Sequence, residues 1–197
     1  MKLAGAAALL AACSLAAAGP AAARTAADPY AALLAPAGTC AADTELGLSQ
    51  EAASRVMLCL TNYARAQNGL ALLKPAAALQ LAGRDKLAAD VSCSEFSHTP
   101  CSKPFTAVFA GYLAGARGYD VGENIAWGSG DLGTARETMT NWLHSAEHRK
   151  NILTPAFREL GIGYLPNQSF QGYDATLWSQ EFGTRTPAAA HRAARRR

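Results

Sequence analysis

The chain has 197 residues, of which 50% are hydrophobic and 17% charged, with a formal net charge of +3. Four arginines, Arg192, Arg195, Arg196 and Arg197, crowd the C-terminal end, and the rest of the chain mixes its charges without a basic stripe. That distribution excludes the usual electrostatic footprint of a nucleic-acid-binding protein.

The N-terminus reads as an export signal. Met1-Lys2 is a minimal positive region, residues 3–18 are apolar and alanine-rich, and Gly19-Pro20 ends the run. Ala21-Ala22-Ala23 then offers a small-residue cleavage site before Arg24. This is the layout of a secretory signal peptide over residues 1–23. The run is too short for a stable membrane span. Leu10-Ala11-Ala12-Cys13 carries a competing reading, a lipobox with Cys13 as the lipidated residue. The Ala-, Pro- and Thr-rich residues 24–45 read as a linker.

The domain itself is expected over residues 46–183. Ser49 is placed to cap a helix with Glu51 in its first turn. Val56, Leu60 and Tyr63 recur at helical spacing, and Asn68-Gly69 is a helix stop. Pro75 suits the first turn of a second helix with Leu79, Ala82 and Leu87 on its apolar face, running to about Ser92. The segment from Ser94 to Pro104 reads as a loop. Phe105 to Leu113 is a shorter helical pattern. Gly122-Glu123-Asn124-Ile125-Ala126-Trp127-Gly128 is expected to enter a strand.

Leu132 to Leu143 forms a third long helical pattern, with Ala135, Met139 and Trp142 on one stripe. Leu160 to Leu165 and Ala175 to Phe182 read as strands, the second alternating Leu177, Ser179 and Glu181 against Trp178, Gln180 and Phe182. Trp142 and Trp178 are expected in the core. Helices first and strands late imply an α+β layered domain rather than a βαβ repeat. Residues 184–197 read as a disordered basic tail.

Without Cys13, four cysteines remain: Cys40, Cys59, Cys93 and Cys101. An even number in an exported chain argues for disulfides. Three pairings are possible, and local order favours Cys40–Cys59 with Cys93–Cys101. No C-x-x-C pair is present, so a thiolate zinc site is not expected.

Four polar residues are the candidates for chemistry: His98, Glu123, Ser145 and His148. Two imidazoles and a carboxylate form a sensible ligand set for a divalent metal. The same groups can place a general base beside a nucleophile. Each also has a structural reading, as a hydrogen-bonded histidine or a loop-fixing carboxylate, and their spacing alone does not bring them together.

Five blocks carry a resemblance: LTNYARAQNGLALL from Leu60, FSHT from Phe96, VGENIAWG from Val121, NWLHSAEHRKNILTPAFRELGIGY from Asn141, and LWSQEFG from Leu177. In this order they resemble the CAP superfamily (SCP-like; cysteine-rich secretory, antigen and pathogenesis-related proteins), in its short bacterial form. The resemblance implies a three-layer α-β-α sandwich with a central antiparallel sheet. It also implies a cleft lined by two histidines and usually two glutamates. The matching positions are His98, Glu123 and His148. The second glutamate's position, three residues after Trp142, holds Ser145, which removes one acidic ligand, and Glu147 stands two residues on.

Family activities are diverse, so membership does not settle the reaction. Three readings follow. The first is an exported, monomeric binding module whose cleft takes a divalent cation such as zinc, through His98, His148 and Glu123, or a small extracellular ligand. The second is a peptidase or esterase using His98 or His148 as base, Ser145 or water as nucleophile and Glu123 to orient an imidazole. The third is a sterol or fatty-acid carrier with Phe105, Phe109, Tyr112 and Leu113 lining a groove.

Overall fold

A computed structural model describes residues 28–187. The signal-peptide and lipobox readings, and the tail beyond Pro187, lie outside the described residues. Helix α1 spans Gln50–Gln67, and Ser49 caps it by accepting from the Ala52 N–H at 3.2 Å. It stops at Asn68, followed by Gly69 at φ +65°. The two-residue strand β1 (Lys74–Pro75) leads into α2 (Ala77–Cys93).

After a loop with 3-10 turns, the short α3 (Ala110–Leu113) precedes β2 (Ala116–Gly128). Helix α4 (Ala135–His144) is capped by Thr134 and followed directly by α5 (Ala146–Ile152), capped by Ser145. The hairpin of β3 (Glu159–Phe170) and β4 (Tyr173–Pro187) closes the domain.

The sheet order is β1-β3-β4-β2. The three long strands are antiparallel, and β1 pairs with β3 in parallel, so the sheet is mixed at one edge. Pro75 therefore sits in an edge strand rather than the first turn of α2. Its neighbours make the ladder bonds, Lys74 N–H to the Arg158 carbonyl and Ala76 N–H to the Leu160 carbonyl. A proline is tolerated at an edge position that needs no donor.

Alternation along β4 sets the two faces of the sheet. Trp178 and Phe182 join Val56, Met57 and Leu60 of α1 and Met139 and Trp142 of α4 in the main core. Leu177 packs instead with Leu87 of α2. The result is a three-layer sandwich, with α2 and α3 on one face and α1 and α4 on the other. Trp142 and Trp178 are fully buried, and their indole N–H groups donate to the Ile125 and Gly133 carbonyls. The Gly161-Ile162-Gly163 stretch explains how close α2 lies. A Cβ on Gly161 would stand 2.0 Å from the Leu79 carbonyl carbon, and one on Gly163 would stand 2.4 Å from that of Gly83. Glycine there lets α2 rest on the strand backbone.

Both locally ordered disulfides form, Cys40–Cys59 and Cys93–Cys101. The first draws the expected linker into the fold. Ala35 and Cys40 are buried, and Asp43 pairs with Arg136. At the other end β4 continues to Pro187, past Gly183 where the alternating pattern ends, because Arg185 and Thr186 still pair with β2.

Candidate functional site

Four residues, Leu79, Gly83, Lys86 and Asp90, follow one another at helical spacing along the buried side of α2. Lys86 and Asp90 are charged, yet both are fully buried. Lys86 Nζ donates to Asp90 Oδ1 at 2.8 Å and also to the Ser97 carbonyl. That carbonyl immediately precedes His98. The loop carrying His98 is thus tied from below by an ammonium and closed at its ends by Cys93–Cys101.

His98 reaches back to the sheet. Its side chain is 53% exposed, and its Nδ1–H donates to Glu123 Oε1 across 2.5 Å. A carboxylate acceptor on Nδ1 leaves the lone pair of the neutral ring on Nε2. The bond to Glu123 raises the His98 pKa above its ordinary value, against an opposing effect of partial burial.

Glu123 is itself buried, directly opposite Glu181 in the β2–β4 register. Lys86 Nζ stands 4.0 Å from Glu123 Oε1. One ammonium therefore serves two buried carboxyl groups, those of Asp90 and Glu123, with a third, Glu181, opposite Glu123. Five buried oxygens around it have no hydrogen-bond partner among the described residues: Asp90 Oδ2, Glu123 Oε2, Ser179 Oγ and both oxygens of Glu181. Burial, and then the charge of Glu123, hold the Glu181 carboxyl well above the usual carboxylate range. Burial likewise raises Asp90, with Lys86 opposing it. A like-charge pair in low dielectric is relieved by keeping one proton.

His148 arrives from the other side, on α5. Ser145 ends α4 and caps α5, its Oγ accepting from the His148 backbone N–H at 3.5 Å. Asparagines sew this helix to β2. Asn151 Nδ2 donates to the Glu123 carbonyl and to Asn124 Oδ1, both at 2.9 Å. Asn124 Nδ2 donates to the His148 carbonyl at 3.1 Å and to Gln180 Oε1 at 3.0 Å. The asparagines of the Gly122-Glu123-Asn124 and His148-Arg149-Lys150-Asn151 stretches thereby fix His148 relative to Glu123. Burial, and then the charge of His98, lower the His148 pKa. The two imidazoles are pushed in opposite directions, His98 up and His148 down.

A cavity of about 330 Å³ opens beside His98, walled by Pro100, Lys103, Phe105 and Val108. Phe109 and Tyr112 are fully buried against Leu79 and belong to the core, whereas Phe105 of the same segment is half-buried and lines the cavity. Among the described residues no group of three or more His, Cys, Asp or Glu side chains is arranged to hold a metal ion. Glu123 Oε1 is already engaged by His98. Glu123 stands behind His98 as a carboxylate that orients its ring. Ser145 serves as a helix cap, and Glu147 is exposed.

Lys86, Asp90 and Glu181 escaped the sequence reading. The available signal was position. Lys86 and Asp90 continue the stripe through Leu79, and Glu181 shares its strand face with Leu177 and Ser179.

Residues 58–182 match the family model described as the cysteine-rich secretory protein family, CAP. Over 61 residues the chain is 41% identical to the uncharacterized protein YkwD of Bacillus subtilis (strain 168), which is 31% of this chain and 20% of that protein. The fold is shared with an outer surface protein of Borrelia burgdorferi, at TM-score 0.60 and 14% identity, covering 71% of this chain and 97% of that one. It is shared also with an extracellular SCP-domain protein of Bacillus anthracis, at TM-score 0.54 and 22% identity, covering 68% of this chain and 40% of that one. At these identities the likeness to the solved structures is one of fold. The family match spans the strand that carries Glu123, the helix that carries His148 and the loop that carries His98, and the chain belongs to the cysteine-rich secretory protein (CAP) family.

Proposed function

We propose that this chain is an exported CAP module whose cleft presents the outer nitrogen of His98, together with His148, to a small extracellular ligand. A divalent cation of the zinc type is the ligand class that two imidazoles suit. The observation that carries the reading is the 2.5 Å bond from His98 Nδ1 to Glu123. A carboxylate behind a histidine fixes its tautomer and raises its basicity, which is the outer-shell arrangement of metal-bound imidazoles. Glu123 then orients rather than ligates. When bound, the cation would polarise water or a ligand oxygen in its open positions. Two disulfides agree with an oxidising, extracytoplasmic compartment.

Calorimetric zinc titration tests this reading. The native chain is expected to bind with moderate affinity, and the His98→Ala, His148→Ala double variant is expected to lose binding while melting normally. Unchanged affinity in the double variant removes the cation and leaves a polar cleft for an organic ligand.

The same bond supports a second reading, a hydrolase with His98 as general base. The base and its orienting carboxylate are in hydrogen-bond contact. Ser145, whose Oγ only accepts in its cap, or a water is the nucleophile in this reading. Turnover of ester or peptide panels that is lost in His98→Ala favours it over simple binding.

A further inference from the structure

A second, larger cavity of about 710 Å³ lies at the end of the sheet, and it shares no lining residue with the cavity beside His98. It is bounded by the approach to α2, the turn before β2, the start of β3 and the end of β4. Lys74, Arg158 and Arg185 line it, all exposed. Its volume falls within the range of about 300–1,000 Å³ common for small-molecule sites.

Among the described residues these cations are paired with no counter-charge within 4.0 Å. The ion pairs there involve Lys86, His98, Arg136 and His144 on the basic side, and none involves Lys74, Arg158 or Arg185. Residues 1–27 and 188–197 contain no Asp or Glu side chain that could supply one. The single carboxylate in the wall, Glu159, accepts from the Tyr112 hydroxyl at 2.6 Å. Burial raises the Tyr112 pKa, so that hydroxyl stays a donor.

Beneath the cavity lies another cation without an acidic partner among the described residues. Arg65 is fully buried and spends its guanidinium on the carbonyls of Ala71, Ile152, Thr154 and Phe157. Ala71 lines the cavity above it. Burial, and then the charge of Arg158, lower the Arg65 pKa, as like charges held together require.

The two surface guanidiniums are also pre-set. Arg185 stacks over the Tyr112 ring at 4.6 Å and donates from Nη1 to the Tyr112 carbonyl at 2.5 Å. Arg158 donates from Nη1 to the Phe157 carbonyl at 2.9 Å and to the Pro155 carbonyl. Each is anchored through one nitrogen, and Nε and Nη2 of both make no hydrogen bond among the described residues. An anchored planar fork loses less freedom when it meets a tetrahedral oxyanion, which it can grip with two parallel bonds.

We propose that this groove, formed by Lys74, Arg158 and Arg185, binds a phosphate-bearing ligand. Three such cations give an uncharged glycan or lipid no advantage, whereas a phosphate ester relieves their mutual repulsion. The exposed side chain of Leu72, with Pro187, offers an apolar wall for the organic part of the ester.

The test is a titration of the full chain with glycerol 3-phosphate, followed by amide chemical shifts at constant ionic strength. The expected result is saturable binding, with shifts centred on Lys74, Arg158 and Arg185. The Arg158→Gln, Arg185→Gln double variant should weaken it by roughly 100-fold, about tenfold for each lost charge-assisted contact. Both residues are exposed, so the fold is expected to survive. Arg84→Gln, an exposed arginine on α2 outside the groove, is the control and should leave affinity unchanged. A second arm uses phosphatidylglycerol vesicles. Vesicle binding with the same dependence on Arg158 and Arg185 supports the site and assigns the phosphate to a lipid headgroup, whereas saturation by the soluble ester alone assigns it to a free ester. Equal weakening by Arg84→Gln, or no effect of the groove variant in either arm, overturns the proposal.

Discussion

Glu123 and Glu181 stand directly opposite each other on β2 and β4, both buried, and the Lys86 ammonium reaches toward them. The pair holds more negative charge than its surroundings neutralise, and the protein accommodates it by keeping Glu181 protonated well above the usual carboxylate range.

This makes stability depend on pH in a definite direction. Below the ordinary glutamate value of 4.5 the carboxyl is protonated both folded and unfolded, and no penalty arises. Above it the unfolded chain releases the proton and the folded chain keeps it, so stability falls as pH rises toward the raised folded value. Glu181→Gln keeps the shape and removes the titration. Its stability advantage over the native chain should grow from pH 4.5 upward in chemical denaturation. An advantage that stays constant across that range contradicts a buried, proton-retaining Glu181.

Lys86→Met should act in the opposite sense. It strands Asp90 and Glu123 without their cation and frees the Ser97 carbonyl. Removing one partner of a buried ion pair costs about 3–5 kcal/mol. Equilibrium denaturation measures the loss, and hydrogen exchange should show the His98 loop opening first.

Trp142→Ala is expected to cost about 3–5 kcal/mol, since the indole is fully buried in the main core and donates to the Ile125 carbonyl. A loss under about 1 kcal/mol would mean that the core relaxes around the gap.

Breaking Cys93–Cys101 should be a local event. The bridge closes a short loop that holds His98, and a short closed loop constrains chiefly itself. Faster amide exchange is expected through residues 94–104, with α1 and β4 unchanged. Faster exchange throughout would show that the bridge supports the whole fold.

What could be read from the sequence was local. Ser49 and Asn68-Gly69 mark the ends of α1 because capping chemistry sits next to the helix it caps. The alternation in β4 separates Trp178 from Leu177 because a strand's faces follow from its own residues. Pro75 misled because a helix first turn and an edge strand both tolerate a missing N–H, and only its pairing with β3 decides. The acid cluster was hidden for the same reason. Lys86, Glu123 and Glu181 come from three elements far apart in sequence; the β2–β4 register sets the two carboxyls opposite each other, and the packing of α2 onto Gly161 and Gly163 brings the lysine to them. Ser145, weighed as a nucleophile, is also the cap that starts α5, a role its sequence context did not show.

The central claim is that Glu123 orients His98 so that its outer nitrogen, beside a neutral His148, meets the ligand. Imidazole titration by nuclear magnetic resonance, with and without zinc, tests this most directly. His98 should titrate above the ordinary 6.5 and His148 below it. His98 should carry its neutral-form proton on Nδ1, and both rings should shift together as zinc is added at a pH above the measured His98 titration, where both imidazoles are neutral. Glu123→Gln should bring His98 back toward 6.5. His98 protonated on Nε2, or two imidazoles that zinc leaves untouched, would contradict the account.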